Sequence, residues 1–298
     1  MKTTDSAVYS TDFPALKLFR RGKVRDVYDL GDTLLMVATD RISAFDVIMS
    51  EPVPGKGKLL TDMSVFWFKL TEHIVRNHLI SADIDDFPGE CAPYRHILAG
   101  RSMLVEKTKP LPIECVARGY LAGSGWKEYQ QNQTVCGIKL PDGLIQSSHL
   151  PNPVFTPATK AEEGHDLNIS FEEAALLCSP DLAGEARRIT LELYRFAADF
   201  AEQRNIILAD TKFEFGLDSN GSLILIDEAL TPDSSRYWLK EYYVAGEEQI
   251  NFDKQVLRDY LETTDWNKQP PPQPLPASVI ASVREKYQDC YDRLIGKI

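Results

Sequence analysis

No stretch of this 298-residue chain approaches the roughly 18 uninterrupted apolar residues of a membrane span. The opening residues, Met1-Lys2-Thr3-Thr4-Asp5-Ser6-Ala7, lead into no apolar targeting core. Membrane insertion and export are therefore not expected. Cysteine is sparse: Cys91, Cys115, Cys136, Cys178 and Cys290 are odd in number, widely spread and free of any C-x-x-C pair. That spacing argues against both a disulfide framework and a zinc site, and a reducing cytoplasm fits best. The histidines, His73, His78, His96, His149 and His165, show neither H-x-x-x-H nor H-E-x-x-H, and no G-x-S-x-G elbow occurs, so zincin and hydrolase readings lapse. A Walker A loop is missing too, because Gly55-Lys56-Gly57-Lys58 lacks its spacing. Positive charge is also short. A net charge of -11 opposes a general nucleic-acid-binding role, so any anionic ligand must be held by local basic groups.

What is present is an apolar content of 43%, enough for a large core, on a length that points to two domains. Short strands at Val24-Tyr28, Thr33-Thr39 and Arg101-Glu106 surround one helical stretch from about Thr61 to His78, on which Met63, Phe66, Leu70 and Ile74 recur at helical spacing. Lys109-Pro110-Leu111-Pro112 interrupts this pattern and marks the joint between a β-rich region, 1–108, and a mixed region, 109–298. In the second region Ser170-Phe171-Glu172-Glu173 is a capping-box pattern. Ser179-Pro180 opens a longer helix whose stripe of Leu182, Ala186, Ile189, Leu193, Ala197 and Phe200 reads as core. The proline-rich run from Gln269 to Pro276 is an extended connector to a last amphipathic helix, Ser278 to Ile295. No internal repeat is present.

Asn220-Gly221 lies between two apolar-rich runs, which is the strongest short hairpin signal. A two-residue turn there pairs Ser219 with Ser222 and sets Glu214 opposite Asp227. Period-2 alternation sends Asp210, Lys212 and Glu214 to one face and Phe213 and Phe215 to the other. Opposed side chains sit about 5 Å apart at Cβ, where like charges destabilise a sheet unless a cation lies between them. Oxygen-only ligands at low count suit Mg²⁺, which shares itself with substrate phosphates. The alternative is a solvated strand face that happens to carry charge.

Three further stretches offer anion-binding chemistry. Gly22-Lys23-Val24-Arg25 places a glycine and two cations ahead of a strand, where backbone amides can approach phosphate oxygens. Pro112 to Gly125 begins as an alternating strand and ends in a small-residue turn that presents Ser124 and Arg118 to a phosphate or carboxylate. Pro232-Asp233-Ser234-Ser235 is turn chemistry that delivers Arg236 close to the strand bearing Asp227. Asp40-Arg41-Ile42-Ser43-Ala44-Phe45-Asp46 puts Ser43 and Asp46 on a loop. For each of these, a solvated turn or a structural cap is the bland alternative. Together they suit a nucleoside triphosphate, a metal and a second anionic substrate.

These residues resemble one family, the SAICAR synthetases. The likeness rests on Gly22 to Tyr28, Asp40 to Asp46, Pro112 to Ser124, Asp210-Thr211-Lys212-Phe213-Glu214-Phe215-Gly216, and Asp227 to Trp238. It implies an ATP- and Mg²⁺-dependent ligase of purine biosynthesis that joins the carboxylate of CAIR, a phosphoribosyl-aminoimidazole carboxylate, to the amine of L-aspartate through an acyl phosphate. It further implies an α+β fold of two lobes, a small kinase-like antiparallel β lobe and a larger ATP-grasp-like lobe, with the site in the cleft between them. By the family pattern Gly22, Lys23, Val24 and Arg25 cover the ATP phosphates, the chain at Glu106 and Lys107 meets adenine, and Glu214 and Asp227 bind Mg²⁺. Asp46, Arg118, Ser124, Ser235 and Arg236 would hold CAIR. Lys212 would lie between phosphates and carboxylate, and Asp210 would steer or deprotonate the amine. Arg25 matches the longer form of the family, since short bacterial members carry lysine there. A small-molecule kinase on a similar scaffold would share the glycine turn and the metal carboxylates without needing Arg118, Ser124 and Arg236 together. A non-catalytic nucleotide-binding regulator would not need Lys212, Glu214 and Asp227.

Overall fold

The computed structural model describes residues 7–160, 167–252 and 254–296, so His165 lies outside the described residues. The chain is α+β and divides into two compact units. One comprises Met1–Phe68, His78–Lys107 and Asp253–Ile298, and the other Lys69–Asn77 and Thr108–Phe252. The change of unit at 107/108 falls beside the proline-punctuated joint. The division is not the contiguous one expected, because residues 253–298 cluster with the first unit. Hydrophobic burial explains this. The amphipathic helices Gln255–Glu262 and Ala277–Leu294 bury Leu257, Leu261, Val283 and Tyr287 against Ile42, Met49, Val53 and Leu60, and the apolar area removed from water favours that docking. Among the described residues, no helix is long and apolar enough to cross a membrane.

The first unit holds a five-stranded antiparallel sheet in the order Lys17–Arg21, Arg25–Asp29, Thr33–Ala38, Ser102–Glu106, Leu79–Ser81. Leu35 and Val37 alternate into a core shared with Phe13, Tyr28 and Leu98. The expected helix runs Lys56–Leu70, starting before Thr61 and stopping about two turns short of His78. Beneath the turn Gly22-Lys23-Val24 lies a buried polar knot. Asp26 accepts from the Thr11 amide and hydroxyl at 2.8 Å each and from Arg41 Nη2 at 2.7 Å. Burial alone would push the Asp26 carboxyl up, but the Arg41 and Thr11 hydrogen bonds outweigh it and hold the carboxyl below its ordinary value.

The second unit is organised by the strand Ile206–Leu217. Ile113–Tyr120 pairs with its middle, while Ser235–Leu239 pairs with its N-terminal half and Leu223–Ile226 and Lys109–Pro110 with its C-terminal half, all antiparallel. The apolar run Ile206-Ile207-Leu208-Ala209 is buried, as are Phe213 and Phe215. The helix Pro180–Glu202 packs on this strand, and its Tyr194 hydroxyl donates to the Leu208 carbonyl at 2.6 Å. Its buried stripe keeps Ala186, Ile189, Leu193 and Ala197, but Ala183 and Ala201 take the ends in place of Leu182 and Phe200. The capping box at Ser170 and Glu173 forms as expected.

The hairpin corrects the expected register. Leu217 pairs with Leu223 and Glu214 with Ile226, one residue away from the predicted Glu214–Asp227 pair. Asp218 is the cause. Its Oδ1 accepts from the Asn220 and Ser222 amides at 2.8 Å each, its carbonyl takes the Gly221 amide, and its own amide reaches Ser222 O at 3.0 Å. Of the Asn-Gly pair only Gly221 takes a positive φ, +79°, which is the pattern of a three-residue loop rather than a two-residue turn. A one-residue slip turns the partner strand's side chains to the opposite face.

Asp26 sets an acid limb for stability. Because its folded carboxyl titrates below its unfolded value of about 4, its contribution is present above that pH and is lost as pH falls through the folded value. Asp26→Asn is expected to flatten the loss of stability below about pH 4 and to cost about 3 kcal/mol at neutrality by leaving buried Arg41 unpaired. Urea midpoints measured across pH check both, and an unchanged acid limb would refute the assignment.

Candidate active site

The middle of the strand Ile206–Leu217 carries charge on one face only. Asp210, Lys212 and Glu214 alternate there against buried Phe213 and Phe215, as the period-2 pattern requires. Asp210 lies opposite Arg118 on one neighbouring strand and Arg236 on the other. Both guanidiniums converge on its Oδ2, Arg118 Nη1 at 3.0 Å and Arg236 Nη1 beside it. Arg118 also donates from Nη2 to Ser124 Oγ and from Nε to Thr156 Oγ1, both at 2.9 Å. Ser235 pairs with Thr211, whose hydroxyl lies 2.7 Å from Ser235 Oγ.

Ser124 sits in the first turn of the helix Gly123–Asn132, whose N-cap, Ala122, supplies no side-chain acceptor. A Cβ on Gly123, which has φ +56°, would lie 2.8 Å from Arg236 Nη2, so only glycine lets that guanidinium reach the helix start. A helix N-terminus with two arginines and a serine hydroxyl beside it is an anion-binding arrangement. The sequence-derived residues Arg118, Ser124 and Arg236 are thus brought together around Asp210, whereas Ser235, opposite Thr211, shares the other face of the strand and is not joined to them.

Two residues further along, Lys212 Nζ pairs with Glu114 Oε1 and lies 3.8 Å from Glu214 Oε1, while Lys160 Nζ takes Glu214 Oε2. Burial alone would push the Lys212 ammonium down. The charges of Glu114, Glu214 and Asp227 outweigh it and hold the ammonium charged well above the ordinary lysine range. Asp227 is therefore not the cross-strand partner of Glu214 but acts on the same ammonium. It follows the strand Leu223–Ile226 with φ +69°, a left-handed conformation costing an ordinary residue on the order of 1 kcal/mol. Among the described residues no group of three or more His, Cys, Asp or Glu is set to hold a metal. Two hard carboxylates, one already gathering lysine ammoniums, nevertheless fit a cation that keeps water and phosphate as its other ligands.

The first unit carries the remaining sequence-derived residues. Gly22 closes the turn by donating to Arg25 O at 2.8 Å, and the Lys23 ammonium pairs with Asp46. Asp46, expected among the substrate residues, stands on a two-residue turn with Phe45, both at positive φ, between Ser43–Ala44 and Val47–Ile48. Glu106 ends its strand, and Lys107 Nζ takes Asp29 Oδ1 at 2.5 Å. Glu114, Thr156 and Lys160 were not singled out from sequence. Glu114 had a signal, since it alternates onto the same face of its strand as Arg118. Lys160 had none, because it follows the two-residue strand Ala158–Thr159, placed only by long-range pairing with Ile113 and Glu114. Burial pushes the Cys115 thiol up, which suits a core residue rather than a nucleophile.

The chain matches the SAICAR synthetase family over residues 18–273. It is 59% identical to the phosphoribosylaminoimidazole-succinocarboxamide synthase of Desulfosudis oleivorans, across 98% of this chain and 100% of that protein. It is 57% identical to that of Citrifermentans bemidjiense, across 97% and 98%. Among solved structures it resembles the Saccharomyces cerevisiae SAICAR synthase complexed with SAICAR, with 44% identity, a TM-score of 0.90 and coverage of 98% and 99%. It also resembles a SAICAR synthetase in complex with ADP, with 28% identity, a TM-score of 0.68 and coverage of 93% and 97%.

Removing the charge that the two guanidiniums share should be costly. Asp210→Asn is expected to lower stability by about 3 kcal/mol, read as a shift in urea midpoint. A midpoint within error of the parent would show that the arginines do not depend on Asp210.

Proposed function

The chain belongs to the SAICAR synthetase family, and we propose that its two charged clusters divide the ligation of CAIR to L-aspartate between holding the substrate's phosphate and activating its carboxylate. The enzyme is an ATP-dependent ligase of purine biosynthesis. The observation that carries the division is the spacing of two residues between Asp210, with its paired arginines, and Lys212, with its carboxylates, on one strand face. Arg118, Ser124 and Arg236 hold the CAIR phosphate, with the uncapped helix start supplying further donors. By the family pattern Asp46 is a further CAIR residue. Gly22, Lys23, Val24 and Arg25 cover the ATP phosphates, and the chain at Glu106 and Lys107 meets adenine.

A carboxylate is a poor electrophile with a poor leaving group. Phosphorylation corrects both faults: a CAIR carboxylate oxygen attacks the γ-phosphorus and ADP departs, then the aspartate nitrogen attacks the acyl carbon and phosphate departs. Lys212, held protonated, lies between the two anions and offsets the charge that would keep them apart. Asp210 presents its second oxygen to the incoming amine while Oδ2 holds the arginines. Mg²⁺ bound by Glu214 and Asp227 would neutralise phosphate charge. All five cysteines are free, which supports a reducing, cytoplasmic setting.

Aspartate-dependent ADP release with CAIR tests the reading directly, whereas phosphate transfer to a stable product without aspartate would sink it. Lys212→Ala is expected to lower kcat by about 10³-fold with little change in KM for CAIR. Arg236→Ala should raise KM for CAIR by about 10- to 100-fold and spare kcat. Equal effects of both variants on every parameter would show that the roles are misassigned.

A further inference from the structure

Arg41 is 2% exposed and meets neither solvent nor, by its burial, any substrate, yet its guanidinium makes four hydrogen bonds within the first unit. Nη2 donates to Gly22 O at 2.9 Å and Nε to Lys23 O at 3.0 Å, while Nη1 reaches Tyr9 O at 2.6 Å and Nη2 also meets Asp26 Oδ1 at 2.7 Å. The next carbonyl, Val24 O, accepts from the amide of Thr39 at 2.9 Å and from its hydroxyl at 2.7 Å. Three successive carbonyls of the glycine turn are thus engaged from the inner side. A planar trans peptide points its N–H opposite to its C=O. Drawing the Gly22 and Lys23 carbonyls inward therefore turns the Lys23 and Val24 amides outward, the arrangement of a backbone anion nest.

We propose that Arg41 is the positioning residue of this turn: its buried fork holds the carbonyls so that the following amides face the phosphate oxygens of the nucleotide. The inference rests on the reading above that the turn covers ATP phosphates. The residue type follows from geometry. A guanidinium carries five N–H donors in a rigid plane and can serve four acceptors at once, whereas a lysine ammonium has three donors at one point and leaves carbonyls of the turn unserved. Asp26 completes the device from behind. Fully buried, it accepts from Arg41, the Thr11 amide and hydroxyl, and Arg21 Nε, so the guanidinium has a fixed seat.

The test compares ADP with adenosine, which shares the base and ribose but lacks phosphates, by calorimetry on the full chain. Arg41→Lys is expected to weaken ADP binding by about tenfold and leave adenosine binding unchanged, while KM for ATP rises and kcat at saturating ATP stays within about twofold. Thr39→Val, which removes one hydrogen bond to Val24 O, should act in the same direction by a smaller factor, and it serves where Arg41→Lys folds poorly. Equal weakening of ADP and adenosine would make Arg41 merely structural and overturn the proposal. Lys23→Ala separates the two levels of inference. If it leaves ADP affinity unchanged, the turn does not hold phosphates and both readings fall. If it weakens ADP while Arg41→Lys and Thr39→Val do not, only the positioning role fails.

Discussion

One carboxylate oxygen shared by two guanidiniums is the constraint from which the second unit's site is built. Asp210 stands on the central strand with Arg118 and Arg236 directly across from it on either side, and all three are largely removed from water. A buried and a half-buried cation brought this close repel one another unless an anion lies between them, and a buried anion is costly unless paired. Each group therefore requires the others. What the trio gains is direction: with Oδ2 engaged, the arginines are held at the start of the helix Gly123–Asn132 beside Ser124, where unbonded backbone donors already favour negative charge.

The same strand face then changes sign of task within two residues. Around Lys212 the acids outnumber the cations, and their combined field holds the ammonium charged despite burial. Strand geometry explains how two distinct environments coexist so close together. Residues i and i+2 point to one face about 7 Å apart, far enough for separate partners and near enough for one extended substrate to touch both. The opposite face, with Phe213 and Phe215, contributes only packing.

Burial in the first unit serves presentation in a different way. There the charged groups at the surface, Lys23 and Asp46, pair with one another, while the pair beneath them, Asp26 and Arg41, is enclosed and fixes backbone rather than ligand. A buried ion pair is weak evidence for stability but a good device for specifying one backbone conformation. Here the conformation specified is that of a turn whose amides matter. The positive φ values at Phe45 and Asp46 are a second local cost held in place by the surrounding fold.

Much of this was legible in the chain itself. Alternation along Asp210 to Phe215 set which side chains share a face, the capping box and Ser179-Pro180 set helix starts, and the motif residues set the family. These are local properties, governed by the two periodicities of regular backbone and by turn chemistry. Tertiary structure decided the rest because it depends on contacts between distant segments. The hairpin register was lost to one side chain, Asp218, which outcompeted the Asn-Gly signal by capping two amides. The placing of the last helices with the first unit came from which apolar faces remained to be covered. Lys160 entered the site only through strand pairing across more than forty residues, and Arg41 acquired its role from four acceptors spread over positions 9 to 26. No spacing rule could reveal either, since what brings those groups together is the burial of other residues.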